Sequence, residues 1–223
     1  MKVKEYTLRE KKHAKTKLAI MQALMQRLKH NRFDNISIRE LCQDTEIAEG
    51  TFFNYFPEKI DVVNYYICLT TLKMIWVSQK EATPGKYLSL IEALFSHVSD
   101  YHFNNNVSFQ ILSVLLSRLQ KPKNIIISSL EKKLAYPDCP GIEDIPVMLL
   151  DDWMKQYIHL AIKNNELPLN TNINDLIISL MTIVSGTSLA MQLEKDRSNN
   201  YHYLRQLKAV WLTFGAKNSN KNK

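Results

Sequence analysis

The sequence predicts an all-α protein: an N-terminal three-helix unit with a helix-turn-helix, joined by a long helix to a C-terminal helical bundle, about nine to ten helices in all. Three observations lead there. Apolar residues recur at intervals of three and four along most of the 223 residues, and strand-like alternation is never sustained. Turn signals such as NRFDN (31–35), TPGK (83–86) and YPDCPGIEDIP (136–146) separate these periodic stretches. Ser37 followed by Glu40 is a capping box, the hydroxyl meeting the N3 amide and the carboxylate reaching back to the cap amide. It opens a short helix with a second short helix close behind.

The first helix is expected over 12–30, where Leu18, Met21, Met25 and Leu28 form a stripe flanked by Ile20 and Leu24. The second runs from Ser37 to about Thr45, with Ile38, Leu41 and Cys42 facing inward. A tight turn through Glu46 and Ile47 leads to a third helix over 49–56. Pro57 suits the first turn of a fourth, because its fixed φ and missing donor are tolerated there. This fourth helix reaches about Ser78. Further helices are expected over 86–103, 107–120, 123–135, 146–165, 172–194 and 200–214. The 107–120 segment is apolar nearly all round, which predicts a central position. The expected domains are 1–66, with the helix-turn-helix at 37–56, then 67–215, then a disordered polar tail at 216–223.

Composition narrows the function classes. Five glycines are few for phosphate-cradling loops or oxyanion holes, which disfavours an enzyme. A helical enzyme using His97, Asp100 and Tyr101, or Asp151 and Asp152, lacks an accompanying nucleophile. The longest apolar runs, such as IISLMTIV (177–184), fall short of the ~20 residues of a membrane span. The basic N-terminus has no apolar signal core, so a cytoplasmic location away from membranes is expected. Cys42, Cys68 and Cys139 form no CxxC pair, and no His cluster suggests a metal or cofactor. Cys139, in the proline-rich loop, is the expected exposed thiol.

The net charge of +7 is unevenly spread. Residues 1–33 carry ten Lys/Arg against Glu5 and Glu10, whereas 34–63 carry Arg39 and Lys59 against seven acids. A basic arm beside a helix pair is the electrostatic footprint of a nucleic-acid binder. Within GTFFNYFPEK (50–59), Phe52 and Phe56 are spaced to share a core face, while Phe53 and Asn54 point elsewhere and Tyr55 lies between. A short second helix of this kind has the dimensions to enter a major groove ~12 Å wide.

The stretch 16–63, with G-T-F-F-N-Y-F-P-E-K after a capped helix, resembles the TetR family of bacterial transcriptional regulators. A weaker likeness at 161–176, AIKNNELPLNTNINDL, matches the loop that joins the family's last two long helices. The resemblance implies a DNA interface made by Ser37, Arg39, Glu49, Thr51, Phe53, Asn54, Tyr55 and Lys59, with Lys12 and Lys15 on the basic arm. Ser37, Thr51 and Lys59 match phosphate-contacting positions, and Tyr55 can reach a phosphate. Arg39 either reads a base edge or forms an ion pair with Glu40 or a contact with Gln43. Asn54 either pairs with adenine or is solvated. Three departures stand out: Glu46 replaces a turn glycine, Ala48 a hydroxyl cap, and Arg32 a glycine before Phe33. Because Asp44, Glu46 and Glu49 repel phosphate, affinity is expected to come from Lys2, Lys4, Arg9, Lys11, Lys12, Lys15, Lys17 and Lys59.

The resemblance further implies that residues from about 80 onward dimerise and sense a small molecule. Small side chains beside an apolar stripe in 172–194 nominate Ile177, Leu180, Val184, Gly186, Ser188 and Met191 for a two-fold interface, or for close packing within one subunit. Trp76, Phe95, His97, Tyr101, Phe109, Trp153 and Tyr157 are the candidate pocket residues, for a ligand that is apolar or anionic rather than cationic. The implied function is a sequence-specific, homodimeric repressor released from a palindromic operator by that ligand. The alternative is a TetR-like architectural or nucleoid-associated protein that binds DNA under the control of a protein partner.

Overall fold

A computed structural model describes residues 5–104, 106–195 and 201–217; the side chains of 99–104 and 106 lie outside that description. Lys2, Lys4, the side chains of Asp100 and Tyr101, and residues 218–223 of the polar tail therefore lie outside the described residues. Within them the regular structure is helical, in this order: α1 (Leu8–Leu28), a 3-10 turn (Phe33–Asn35), α2 (Ile38–Asp44), α3 (Glu49–Tyr55), α4 (Lys59–Glu81), α5 (Tyr87–Asn104), α6 (Asn106–Arg118), α7 (Ser129–Ala135), a second 3-10 turn (Ile142–Asp144) and α8 (Leu150–Lys163). Then come α9 (Ile173–Glu194), interrupted by a π turn at Ile183–Thr187, and α10 (Tyr201–Thr213). The chain forms two compact units, one of residues 1–73 and 110–149, the other of 74–109 and 150–223. Residues 110–149, expected with the C-terminal part, thus lie in the unit that holds the helix-turn-helix.

In the first unit α1 begins a turn earlier than periodicity suggests. Thr7 and Glu10 form a capping box, but the first turns, LREKK, offer no apolar rhythm to reveal it. The buried face of α1 carries Ala14, Lys17, Leu18, Ile20, Leu24, Met25 and Leu28. The predicted helix over 123–135 is corrected to α7 alone. Residues 120–128 are not helical, because Pro122 and the β-branched run Ile125–Ile127 disfavour a helix, and Ser128 with Glu131 caps a later start. Cys139 is buried, not exposed: its amide donates to the Tyr136 carbonyl and its carbonyl accepts from the Ile142 amide, tucking the thiol into the turn.

A buried polar knot ties α1, α4 and α7 together. The Lys17 ammonium lies 3.1 Å from Glu131 Oε1, donates to the Ile126 carbonyl at 3.0 Å, and sits 4.6 Å from the Tyr65 ring centre. The Tyr65 hydroxyl donates to the same Glu131 oxygen at 3.1 Å. Burial pushes the Glu131 carboxyl up, but the Ser128 hydroxyl and amide, together with Lys17, outweigh it and hold the group below its ordinary range. Burial and the Glu131 charge drive the Tyr65 phenol far upward, so it remains a donor.

In the second unit the Glu166 carboxylate caps the start of α5, accepting from the Tyr87 and Leu88 amides at 3.0 Å each. Trp211 Nε1 donates to Glu92 at 3.1 Å. Phe95 and Trp153 are fully packed. The 107–120 segment is not apolar-buried all round. Val107, Ile111 and Val114 face inward, whereas Leu116 is 51% and Leu119 90% exposed. Two helices, α4 and α9, are long and apolar enough by length and composition to cross a membrane, more than the sequence runs suggested. Of their apolar stretches, 61% of α4 and only 33% of α9 is buried.

Candidate nucleic-acid interface

The helix-turn-helix assembles as its local chemistry dictates. Ser37 opens α2 with the expected capping box: its hydroxyl accepts from the Glu40 amide at 3.1 Å, and Glu40 Oε2 accepts from the Ser37 amide at 2.8 Å. The helix closes on a Schellman pattern. The Ile47 amide donates to the Cys42 carbonyl at 3.0 Å and the Glu46 amide to the Gln43 carbonyl at 3.3 Å. Glu46 takes φ +53, so the residue in the glycine position does carry left-handed strain, about 1–2 kcal/mol. Arg32, the other glycine replacement, is extended at φ −70 and unstrained. Ala48 precedes α3 without a side-chain cap.

The aromatic cluster divides as its spacing implies. Phe52 and Phe56 are 0% and 1% exposed, and Phe56 packs edge-on against Tyr65 with centroids 5.5 Å apart. Phe53 is 48% exposed. Asn54 is exposed, and half-buried Tyr55 lies 4.8 Å, ring to ring, from His13 of α1. Glu49 and Gly50 are exposed and Thr51 is half-buried. A Cβ added at Gly50 would meet nothing within 4 Å, and its φ is not left-handed. Neither local backbone nor packing requires glycine there.

Arg39 is exposed and, among the described residues, makes no hydrogen bond or ion pair. The ion pair with Glu40 is not formed, because another arginine occupies that acid. Arg27 of α1 donates to Glu40 Oε1 at 2.8 Å and grips both oxygens of Asp44 at 2.6 and 2.9 Å. The Arg27 hydrogen bonds hold the Asp44 carboxyl below its ordinary range, and the Ser37 amide and hydroxyl, then Arg27, do the same for Glu40. Asp44 is therefore neutralised, leaving Glu46 and Glu49 as the unscreened acids of this face. No sequence signal marked Arg27, because pairing between α1 and α2 is set only in the fold.

Two cations are engaged differently from expectation. Lys17 is 8% exposed in the polar knot, so it is removed from the phosphate-facing set. The Lys59 ammonium donates to the Phe33 and Ile36 carbonyls at 2.7 and 2.6 Å and stands 4.3 Å from the Phe33 ring centre, leaving one proton for an outside acceptor. Burial lowers its pKa. Ser37 is similarly occupied: its hydroxyl donates to Glu40 Oε2 at 2.8 Å and must turn to meet a phosphate. Lys12 and Lys15 are exposed, without side-chain partners among the described residues.

The other nominated residues are less coherent. Ile177, Leu180 and Met191 pack inside the protomer, whereas Gly186 is exposed and Val184 and Ser188 are half-buried. The exposed apolar side chains of this region are Ile178, Leu193 and Leu212. Among the pocket candidates, Phe95 and Trp153 are core, Tyr157 stacks on Trp153 at 4.6 Å, His97 bonds Glu81 at 2.7 Å, and Lys80 covers Trp76 at 3.4 Å. Phe109 is half-buried, and the Tyr101 side chain lies outside the described residues. A cavity of about 50 Å³ in this unit is lined instead by Lys86, Glu92, Glu166 and Trp211 among others. That is far below the ~300 Å³ of a small-molecule pocket.

An N-terminal capped helix pair on three helices, followed by a helical bundle, is an arrangement that structural comparison finds in other proteins. The fold is that of the TetR-family transcription regulators. Similar structures include FadR of Thermus thermophilus, a TetR-family transcriptional repressor in complex with lauroyl-CoA (TM-score 0.60, 13% identity, 93% of this chain and 98% of that one). SmeT in complex with triclosan (0.60, 12%, 92% and 93%) and a TetR transcription regulator from Haloarcula marismortui (0.57, 12%, 90% and 97%) are also similar. No protein-family model and no curated protein sequence matches the chain.

Proposed function

We propose that the protein is a sequence-specific DNA-binding transcriptional regulator rather than an enzyme, acting as a homodimeric repressor on a palindromic operator. The observation that carries the reading is the surface of α2 and α3. Arg39, Phe53 and Asn54 stand exposed on it, and Gly50 leaves open space that none of the described residues fills. An unpaired arginine on such a face can form a bidentate contact with guanine, contributing ~1–3 kcal/mol of discrimination. Thr51, Tyr55 and the remaining proton of Lys59 position the backbone, and Lys12 and Lys15 add counterion release.

Dimerisation is supported by α9, whose apolar stretch is only 33% buried within the protomer, with Ile178 and Leu193 exposed. We place the two-fold contact on that exposed face rather than on Ile177, Leu180 and Met191. Two recognition helices ~34 Å apart would then read two half-sites. Release by a small molecule is supported by similarly folded proteins that hold triclosan and lauroyl-CoA.

The test is selection of bound duplexes from a random pool. The expected outcome is an enriched palindrome that Arg39→Ala relaxes at one position. Salt-sensitive binding without an enriched motif would replace this reading with an architectural one, and absence of binding at low salt would overturn both.

A further inference from the structure

Cations crowd one edge of the first compact unit, outside the helix-turn-helix. The Arg118 guanidinium, at the end of α6, lies 5.3 Å from the Phe33 ring centre, the same ring that Lys59 approaches at 4.3 Å. Its ionic partner is Asp34 at 3.5 Å, a side chain 81% exposed. Leu119 then turns the chain at φ +48, and Lys121 and Lys123 follow on the segment before α7. That segment is anchored, because the Lys123 amide donates to Asn64 Oδ1 of α4 at 3.2 Å. Arg118, Lys121 and Lys123 border a shallow cleft of about 10 Å³ with Ile60 and Asn64. Such a volume holds about one water molecule, so the cleft suits no enclosed small ligand.

We infer that Arg118, Lys121 and Lys123 form an auxiliary contact for the backbone phosphates of duplex DNA flanking the base-reading helices. The inference rests on the DNA-binding reading above and extends its footprint. Position supports it: Phe33 and Asp34 lie just before Ser37, the cap of α2, so the patch adjoins the helix end that would face phosphate. Charge supports it too. Lys59 and Arg118 both approach the Phe33 ring with one exposed acid, Asp34, beside them, and Lys123 has no ion pair among the described residues. Cations thus outnumber acids at this edge, which favours a polyanion. The pinned segment loses little freedom when it binds. Finally, with Lys17 and Arg27 engaged internally and Arg39 the sole cation on the face of α2 and α3, the patch adds to the few cations, Lys12, Lys15 and Lys59, that otherwise serve phosphate.

The test compares two duplexes carrying the selected motif, one trimmed to it and one extended by about ten base pairs on each side. Affinity is measured across a salt series for the wild type, for K121Q/K123Q, and for R118Q/K121Q/K123Q. The double variant leaves the Arg118–Asp34 pair intact if the triple variant folds poorly. On the extended duplex the log–log salt slope should become shallower by about 0.9 for each phosphate no longer neutralised, with affinity near 0.15 M salt down on the order of tenfold or more. On the trimmed duplex the variants should match the wild type. Unchanged slopes on both duplexes overturn the inference, including the case in which the patch instead binds an acidic protein. If Arg39→Ala also leaves binding unaltered, the base-reading proposal falls with it; if Arg39 matters and the patch does not, only the patch proposal fails.

Discussion

Arg27 on α1 grips Asp44 on α2 through two parallel hydrogen bonds, Nε to Oδ2 at 2.6 Å and Nη2 to Oδ1 at 2.9 Å. The fork fixes how α2 leans on α1 and pairs the charge of a still-exposed carboxylate beside the face proposed to meet DNA. Arg27→Met should lower the thermal midpoint by a few degrees and weaken DNA binding through the uncovered Asp44 charge. Arg27→Lys should recover part of the binding but not the planar geometry. Thermal melts and duplex titrations of the three proteins check this; equal affinity in all three would refute it.

Gly50 separates folding from function. Gly50→Ala fills open space in a helix and should leave stability unchanged or raise it by about 0.5–1 kcal/mol. It should nevertheless weaken operator binding, because the methyl group intrudes where DNA approaches. Urea unfolding paired with a binding isotherm decides, and a stabilised variant with native affinity would show that no partner comes close to this position.

Lys59 holds two carbonyls and offers DNA a single remaining proton. Lys59→Met should destabilise the protein by about 1–3 kcal/mol, since the Phe33 and Ile36 carbonyls lose a charged donor. It should also weaken binding to all sequences alike. A loss of affinity confined to one base position would contradict the phosphate role.

Lys17 and Glu131 form a buried pair, 10% and 3% exposed at the side chain. Lys17→Met leaves Glu131 charged and should cost about 3–5 kcal/mol. Adding Glu131→Gln, which removes the charge and keeps one acceptor oxygen, for either Tyr65 or Ser128, should restore part of that. Chemical denaturation of the single and double variants reads the coupling.

Acid should loosen the first unit. Glu131, Glu40 and Asp44 have folded values below their unfolded ones, near ~4. The stability they lend is complete above that range and is lost as pH falls through their lowered values. Glu92 acts oppositely, because burial first, and the Glu166 charge with it, raises its pKa against the Trp211 hydrogen bond. Its unfavourable contribution at neutral pH fades as it gains a proton. Denaturation midpoints between pH 6 and 3 should fall, and Glu92→Gln should raise the neutral-pH midpoint slightly, by less than about 1 kcal/mol after allowing for solvent screening.

Much of the fold was legible because it rests on local signals. The capping box at Ser37, the i,i+4 spacing of Phe52 and Phe56, and the apolar rhythm of α1 and α4 all act over a few residues. What stayed hidden depends on distant pairing or on polar signals without apolar rhythm. Ser128 with Glu131 has the same capping pattern as Ser37 with Glu40, yet the helix expected over 123–135 ran straight through it. The fate of Lys17, Arg27 and Lys59 could not be read from composition, because a lysine in a basic arm looks the same whether it meets phosphate or a buried carboxylate. Phe95 and Trp153, nominated for a pocket, lie in the core for a related reason: aromatic spacing marks packing and cavities alike.

The π turn at Ile183–Thr187 places an extra residue in the middle of α9, with the Thr187 hydroxyl buried and unpaired. Such a turn absorbs one surplus residue, so deleting one residue between 183 and 187 would return the helix to regular winding and leave Ser188–Glu194 facing as it does now. Regular winding at the present length would instead turn Ser188–Glu194 by about 100° relative to Ile173–Thr182 and carry Met191 out of its buried place. The irregular turn is what keeps the two halves of one long helix in a single register.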